Sequence, residues 1–197
     1  MARPRSFDAD DALDRAMHVF WERGYEATSV EDLLAALGIG LSSFYRTFTS
    51  KRDLYLAATD RYRALMGADL VAALAAPPVV PAIGAVLHGV ADEASRDEAS
   101  RGCLLVNATV ERAPHDADVK ARIEEQFAFN RRTFRDAVQR AQAAGEIPAD
   151  GDPDALALLL VNAYHGLRVT GKACKDRDAL GAIVDATLTS LHWSAPS

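Results

Sequence analysis

One stretch decides the fold of this chain: residues 30–52, which read VEDLLAALGIGLSSFYRTFTSKR. Its first half has apolar residues at the spacing i, i+3, i+4, i+7, typical of a helix with one buried face, at Val30, Leu33, Leu34 and Leu37. Gly38 and Gly40 then bracket Ile39, which favours a sharp turn of the backbone. A second apolar stripe follows at Leu41, Phe44 and Phe48. Two short helices joined by a tight turn predict a helix-turn-helix, whose second helix lies in the major groove of DNA.

The polar face of the second predicted helix suits contact with DNA. With the apolar stripe turned inward, the side chains that point outward together are Ser42, Tyr45 and Arg46. Hydroxyl, phenol and guanidinium groups of this kind contact phosphates and base edges. A short N-terminal arm with Arg3 and Arg5 could in addition lie along the minor groove. The alternative interpretation is a solvated basic turn between core helices.

The starts of the flanking helices carry capping residues. Thr28 stands three residues before Glu31, a capping-box spacing that predicts Thr28 as the N-cap of the first helix of the motif. Ser50 is predicted to cap the helix that follows the motif. Lys51 and Arg52 place two cations where the helix dipole prefers anions, so we expect an external phosphate at this helix end.

Composition limits the kind of DNA binding that is possible. The chain has 197 residues, 49% of them hydrophobic, which is enough for one long domain or two small ones with a buried core. Its formal net charge of −6 argues against non-specific binding of polyanions by the chain as a whole. Residues 1–63 hold 9 Lys and Arg against 10 Asp and Glu. DNA binding therefore has to depend on a local surface, such as residues 41–52, which contain three basic residues and no acid.

The remainder of the chain predicts further helices and no strand. Helical periodicity and breakers indicate helices at about residues 50–76, 82–95, 103–112, 117–144, 153–172 and 177–192. The β-branched content of residues 103–112 alone would allow a strand, but no partner strand occurs elsewhere in the sequence. We therefore predict an all-α fold, with a three-helix DNA-binding domain at residues 1–50 and a second helical domain at residues 51–197.

The last two predicted helices are apolar over a wide arc. Pairing with a second copy would bury that surface in a symmetric four-helix interface, and it would suit a helix-turn-helix that reads paired half-sites. The residues predicted to form this dimer interface are Leu160, Leu167, Leu180, Ile183, Val184, Thr187 and Leu191. The alternative is that both helices only close the core of a single chain.

Two segments resemble the DNA-binding domain of TetR-type (tetracycline-repressor-like) transcriptional regulators. They read FWERGYEATSVEDL at residues 20–33 and LGIGLSSFYRTFTSKRDL at residues 37–54. The resemblance implies an all-helical homodimer with three N-terminal DNA-binding helices and a C-terminal ligand-binding and dimerisation domain. We accordingly expect a ligand-responsive regulator, a homodimeric repressor that a small-molecule inducer releases from a palindromic operator in double-stranded DNA.

The resemblance also implies roles for individual residues. The backbone of the DNA would be contacted at the start of the second helix by Thr28 or Ser29, and beyond it by Tyr45 and Lys51. The face that enters the groove would hold Ser42, Ser43 and Arg46. Leu41 stands where the family often has a polar or basic residue, so it would either meet a thymine methyl group or pack against the core.

A ligand cavity would lie among helices four to eight, where polar residues interrupt apolar faces. Its expected lining is Cys103, Asn107, Phe127, Asn130, Phe134, Tyr164, His165 and Arg168. Cys103 belongs to RGCLLVNATVE at residues 101–111, which resembles a stretch of family members that sense electrophiles through a cysteine. A redox- or electrophile-sensing regulator is therefore the alternative function, and an inert core cysteine is the other interpretation of Cys103.

Two other classes of function are compatible with parts of the sequence. A small helical enzyme could pair Cys103 with His88 or His165, or could use His115 beside Asp116. A helical interaction module that never touches DNA would leave the outward face of the motif unexplained. The sequence has no cofactor motif, no metal-ligand spacing, no signal peptide and no membrane span, so we expect a cytoplasmic protein without a cofactor or metal.

Overall fold

Helices alone form the regular structure of residues 9–192. The computed structural model describes residues 9–192, so the basic arm at residues 1–6 lies outside the described part. Residues 9–192 contain no β-strand and nine α-helices: α1 (Ala9–Arg23), α2 (Val30–Leu37), α3 (Leu41–Phe48), α4 (Lys51–Leu74), α5 (Val79–Arg96), α6 (Leu104–Glu111), α7 (Ala117–Ala143), α8 (Pro153–Ala173) and α9 (Arg177–Ser190). The predicted all-α fold is confirmed. None of these helices is both long and apolar enough to cross a membrane.

Two apolar clusters hold the helices together. The first surrounds Phe20, Phe44 and Tyr55 and joins α1, α2 and α3 to the first half of α4, to α6 and to the start of α7. The second surrounds Phe134 and Leu160 and joins the end of α4 to α5, α7, α8 and α9. The boundary predicted after residue 50 coincides with the N-cap of α4, and the core of the first three helices continues across it. The 24-residue helix α4 therefore contributes its first half to one cluster and its end to the other.

The start of α5 differs from the prediction, which placed it at Ala82. The helix begins at Val79, and Pro81 occupies its first turn. Proline is tolerated there because the N–H groups of the first turn have no partner within the helix. The Glu146 carboxylate accepts the backbone N–H groups of Val79 and Val80 over 2.9 and 2.7 Å, which supplies partners from outside the helix.

The last two helices bury most of the residues that were predicted to form a dimer interface. Within one chain, α8 packs on α5 and α7, and α9 packs on α5 and α8. The residues covered in this way are Leu160, Leu167, Leu180, Val184, Thr187 and Leu191. These side chains are unavailable to a second copy, and the prediction is wrong for them because periodicity identifies a buried face without identifying what buries it. Ile183 of the predicted set is 39% exposed.

Candidate nucleic-acid interface and ligand cavity

The start of α2 is capped one residue later than the sequence predicted. Ser29 is the N-cap: its Oγ accepts the backbone N–H of Asp32 over 3.0 Å, and the Asp32 carboxylate accepts the N–H of Ser29 over 2.9 Å. Thr28 is fully buried, and its hydroxyl donates to the Gly24 carbonyl over 2.6 Å. The predicted contact of the Thr28 side chain with DNA is therefore wrong, whereas Ser29 is exposed at the surface.

One glycine accounts for the turn between α2 and α3. Gly38 ends α2 with a φ of +68°, a left-handed conformation that favours glycine, and its N–H donates to the Leu34 carbonyl over 2.9 Å. Gly40 is the N-cap of α3 with a φ of −82°, which other residues adopt equally well. Ile39 between them packs, partly buried, on the first apolar cluster. The turn thereby fixes which face α3 presents to the outside.

The outward face of α3 holds most of the predicted DNA contacts. Phe44 is fully buried, whereas Tyr45 and Leu41 are 50% and 52% exposed. The polar members of this face are Ser42, Ser43 and Arg46. The Arg46 guanidinium donates to Ser43 Oγ over 3.3 Å. The assignment of Leu41 to the inner stripe is wrong, because the core reaches Phe44 and Phe48 but leaves the first residue of this helix exposed.

The two cations at the start of α4 have partners inside the chain. Lys51 Nζ lies 4.2 Å from the centre of the Tyr25 ring, a cation–π contact. Arg52 donates from Nε and Nη2 to the carboxylate of Asp116, the N-cap of α7, over 2.8 and 2.9 Å. Nη2 also donates to Asp118 over 2.5 Å. Arg52 therefore has acidic partners inside the chain, and the phosphate expected at this helix end stays a prediction.

A polar network that the sequence did not predict joins the first three helices to α6 and α7. Glu111, the last residue of α6, accepts the backbone N–H groups of Tyr25 and Glu26 over 3.1 and 2.9 Å. Arg112 donates to the Glu26 carboxylate over 2.5 Å, and its guanidinium lies 4.3 Å from the Tyr25 ring centre. We call these contacts, together with those of Arg52, the joint. Its partners are at least 64 positions apart in the sequence, so no local pattern reveals them.

Most of the predicted ligand-binding residues meet around one small cavity. Its lining is Cys103, Asn130, Tyr164, His165 and Arg168 of the predicted set, with Tyr62, Met66, Leu105 and Gln126. The predicted walls stand behind it: Phe127 contacts His165 with ring centres 4.7 Å apart, and Phe134 contacts Tyr164 at 5.8 Å. The cavity volume is about 10 Å³, which is room for about one water molecule.

Asn107 lies outside this cavity, apart from the other predicted lining residues. Its amide nitrogen donates to the Arg101 carbonyl over 2.8 Å, and its oxygen accepts from Lys172 Nζ over 3.0 Å. Leu105 and Asn107 point to different sides of α6. Leu105 faces the cavity, whereas Asn107 faces a surface groove.

A chain of hydrogen bonds runs along one wall of the cavity. Gln126 Nε2 donates to Asn130 Oδ1 over 2.9 Å, and Asn130 Nδ2 lies 3.1 Å from His165 Nε2. Burial lowers the pKa of His165 to about 4, with a further contribution from the charge of Arg168, so the ring is neutral at neutral pH. Because the amide nitrogen of Asn130 is a donor, His165 Nε2 accepts and the ring proton lies on Nδ1.

Cys103 is a buried part of the cavity wall. It is the N-cap of α6 and is 5% exposed. Burial raises the pKa of the neighbouring Tyr62 well above its ordinary value, and Cys103 adds to this effect. Because an electrophile needs access to the thiol, this position does not favour the redox-sensing alternative.

The residue pairs that an enzyme would need are engaged elsewhere. His88 Nε2 lies 3.4 Å from the carboxylate of Asp185. Asp116 accepts hydrogen bonds in the joint and therefore does not act on a neighbouring histidine. Cys103 and His165 both border the small cavity, but within residues 9–192 no hydrogen bond joins them.

A larger groove opens on the outside of the molecule between α4 and α7. Its volume is about 860 Å³, and Gly67, Ala68 and Val71 of α4 line it opposite Phe129 of α7. Gln126 lines both this groove and the small cavity. The side chain of Gln126 therefore stands between the groove and the cavity.

Comparison with protein families gives two matches along the chain. Residues 12–58 match the family model described as bacterial regulatory proteins, tetR family. Residues 79–187 match the model described as tetracyclin repressor-like, C-terminal domain. The two matches include the helix-turn-helix and most of the helices that surround the cavity.

Relatives of similar length share both parts. The chain is 35% identical to the uncharacterized HTH-type transcriptional regulator YezE of Bacillus subtilis (strain 168), over 97% of this chain and 100% of the relative. It is 32% identical to the HTH-type transcriptional repressor ComR of Escherichia coli (strain K12), over 94% of this chain and 90% of the relative. A solved structure of a cysteine mutant of the TetR family transcriptional regulator CifR, complexed with 26-bp double-strand operator DNA, has a TM-score of 0.84 and 34% identity, over 96% of this chain and 100% of that chain.

Proposed function

This chain belongs to the tetR family of bacterial regulatory proteins, and we propose that it is a homodimeric repressor that a small molecule releases from a palindromic operator. It is a DNA-binding transcriptional regulator with a helix-turn-helix and not an enzyme. One observation carries the proposal: α3 follows a tight turn and presents Tyr45 and Arg46 on an exposed face. A relative of the same fold is complexed with operator DNA, which supports the same use of this face.

The exposed residues of α3 divide into two kinds of contact. Tyr45 and Lys51 contact phosphates, which position the protein without reading sequence. Bases are read by the groove-facing residues Ser42, Ser43 and Arg46. Leu41 is exposed beside them and offers an apolar contact to a thymine methyl group. Ser29 adds a hydroxyl at the start of α2, where the helix dipole attracts phosphate.

Two copies pair through the outer faces of α8 and α9. The large apolar side chains that remain exposed on these helices are Leu158, Leu159, Val169 and Ile183. Positions 158 and 169 are three helical turns apart, so Leu158 and Val169 lie on the same side of α8. A two-fold pair would present two α3 helices to half-sites roughly 34–36 Å apart.

The pairing is tested by changing one exposed residue of this face. Ile183→Glu is expected to convert a dimer into a monomer in sedimentation-velocity analysis, because it places a charge in an apolar interface. Val110→Glu is the matched control, since Val110 is 79% exposed on α6 and lies outside the face. A variant Ile183→Glu that remains dimeric would place the interface elsewhere.

Release from DNA follows from the position of the cavity. Tyr62 and Met66 in its lining belong to α4, and the same helix begins with Lys51 and Arg52 beneath the DNA-binding helices. A ligand larger than one water has to displace this wall. Movement of α4 then shifts the DNA-binding domains of the two subunits. The ligand favours a form of the dimer in which the two α3 helices are wrongly spaced for the operator. This requires that the ligand binds that form more tightly than the form that binds DNA.

Selection from a random duplex library tests specific DNA binding. The wild-type protein is expected to recover a two-fold symmetric site, and Arg46→Ala is expected to lose it while its helical circular dichroism is unchanged. Arg132→Ala is the control, because it removes an equally exposed arginine from α7. Weak, salt-sensitive and sequence-independent binding by the wild type would count against specific regulation. We expect the protein to act in the cytoplasm, where bacterial DNA is found.

A further inference from the structure

The guanidinium of Arg168 is buried in the C-terminal half without an acidic partner. Arg168 is 8% exposed, and within residues 9–192 it forms no ion pair with a carboxylate. Its two hydrogen bonds go to one neighbour, from Nη1 to the Tyr164 carbonyl over 3.0 Å and from Nη2 to the Tyr164 hydroxyl over 3.3 Å. A guanidinium has five N–H donors, and buried charges are ordinarily paired. The carboxylate of Glu93 acts on it only from beyond ion-pair distance.

A second polar group of the same cavity lacks any hydrogen-bond partner. His165 Nδ1 is buried and has no hydrogen-bond partner within residues 9–192. The chain from Gln126 through Asn130 ends at Nε2 of this ring and leaves the proton on Nδ1. A buried N–H without an acceptor has lost its hydrogen bonds to water without replacement, so the site favours a group that accepts it.

Arg168 lacks an acidic partner, His165 Nδ1 lacks an acceptor, and both groups are donors, which defines the chemistry of a ligand. Arg168 and His165 border the same cavity, and neither has a lone pair to offer to a ligand in these states. We propose that this cavity binds the carboxylate of a small organic acid, with the Arg168 guanidinium and the His165 Nδ1–H as its donors. This assignment rests on the proposed function, because it names the class of molecule that releases the operator.

The surrounding side chains limit the size of that acid. The cavity of about 10 Å³ holds about one water, so the body of the acid has to displace part of the lining. Met66 on α4 and Leu105 on α6 form its apolar wall, and a flexible methionine adapts to a new neighbour at little cost. A monocarboxylate with a short apolar body therefore fits better than a long or highly charged one.

The test compares acids with their neutral amides on the full chain. Sodium propionate, butyrate and benzoate are titrated against propionamide, butyramide and benzamide, with sodium chloride added to equal ionic strength. Thermal unfolding measures binding to the protein, and fluorescence anisotropy of a labelled operator measures release. At least one acid is expected to raise the melting temperature saturably and to release the operator, and its amide is expected to bind at least about tenfold more weakly.

Variants of the donors separate this site from general anion binding. Arg168→Gln is expected to weaken binding of the acid about tenfold or more. Arg168→Lys keeps the positive charge but lacks the paired N–H donors of a guanidinium, so it is expected to give an intermediate loss of affinity. Arg96→Gln is the matched control, because the Arg96 side chain is 77% exposed. If Arg168→Gln fails to fold, Arg168→Lys and the comparison of acid with amide in the wild type decide the question.

Four outcomes would overturn the assignment. The first is an amide that binds as well as its acid, the second is binding that Arg168→Gln and Arg168→Lys leave unchanged, and the third is a panel in which no acid binds. A chloride effect equal to that of every acid would show a simple anion site and would also overturn it. Loss of specific operator binding by the wild type would instead refute the proposed function, and acid binding measured by unfolding would remain interpretable.

Discussion

Arg52 at the start of α4 donates two hydrogen bonds, over 2.8 and 2.9 Å, to the carboxylate of Asp116 at the start of α7. These bonds are the main reason why the pKa of Asp116 falls to about 2, although burial of the carboxylate acts in the opposite direction. The pair connects the DNA-binding helices to the ligand-binding half across 64 positions of sequence. The joint therefore depends on ionised carboxylates, and acid is expected to weaken it.

Acid unfolding is the first prediction. Because the pKa of Asp116 is lower in the folded chain than in the unfolded chain, its contribution is present above about pH 4 and is lost as the pH falls toward about 2. At pH 7, Asp116→Asn is expected to lower the free energy of unfolding by about 1–2 kcal/mol. Urea unfolding at pH 7, 4 and 2.5 should show the difference between variant and wild type shrinking with pH.

Asp152→Asn is the control for this experiment. Asp152 is also a helix N-cap, but it is exposed and accepts only the backbone N–H of Asp154 in the described chain. It therefore reports the cost of losing a cap without losing an arginine partner. Equal effects of the two substitutions at every pH would contradict a special role for the pair of Arg52 and Asp116.

The neutral His165 gives a second pH dependence. Its pKa of about 4 lies below the value of about 6.5 expected in the unfolded chain, so unfolding takes up a proton between these values. The free energy of unfolding of the wild type is expected to fall by about 3 kcal/mol as the pH falls from about 6.5 to about 4. The free energy of unfolding of His165→Gln should fall by less. Melting temperatures between pH 7.5 and 4.5 measure this, in buffers without carboxylates because carboxylates are the proposed ligands.

Exposed His192 supplies the control for that series. His192→Gln should leave the pH dependence unchanged, because His192 is exposed and lies outside the cavity. A wild type whose stability is flat over this range would mean that the imidazole of His165 is not held in its neutral form.

The salt dependence of operator binding tests the role of Lys51. If Lys51 contacts a phosphate, Lys51→Ala should reduce the steepness of log K against log salt concentration by about 1. Arg132→Ala on α7 removes the same charge outside the proposed interface and should leave the slope unchanged. An unchanged slope for Lys51→Ala would mean that the ammonium serves only its contact with the Tyr25 ring at 4.2 Å.

Helix packing gives a prediction with opposite signs at two glycines. A Cβ atom at Gly171 in α8 would lie 2.4 Å from Ala94 Cβ in α5, so Gly171→Ala should force the helices apart and cost about 1–3 kcal/mol. A Cβ atom at Gly89 in α5 would meet nothing within 4 Å, so Gly89→Ala should stabilise the protein by about 0.5–1 kcal/mol. Urea unfolding at one protein concentration measures both, and stabilisation by Gly171→Ala would contradict the close approach.

Local patterns in the sequence were sufficient for much of this structure. The apolar spacing at residues 30–52 locates α2 and α3, and the glycine at position 38 marks the turn between them. Tyr45 and Arg46 are exposed, as the pattern predicts. These features depend on neighbours within one or two helical turns, and a single sequence contains that information.

The errors arose where a residue's partner is distant in the sequence. The sequence around Arg52 does not reveal its partner, because Asp116 is 64 positions away. The start of α5 was placed too late because the carboxylate of Glu146, which accepts its first N–H groups, lies 67 positions further on. Leu160 was assigned to a dimer interface because its apolar spacing does not reveal that its own chain covers it. Tertiary contacts decided each of these three cases.

Trp21 connects the two halves of the chain in a way that can be observed by spectroscopy. Its indole N–H donates to the Gly102 carbonyl over 2.9 Å, and the Arg101 guanidinium lies 4.6 Å from its ring centre. Its ring also contacts Tyr62, which borders the cavity, with ring centres 5.2 Å apart. The sequence has one other tryptophan, Trp193, so Trp193→Phe leaves Trp21 as the single tryptophan. Fluorescence of that variant would then report changes around Trp21, where the DNA-binding helices meet the ligand-binding half, in real time and without an added dye.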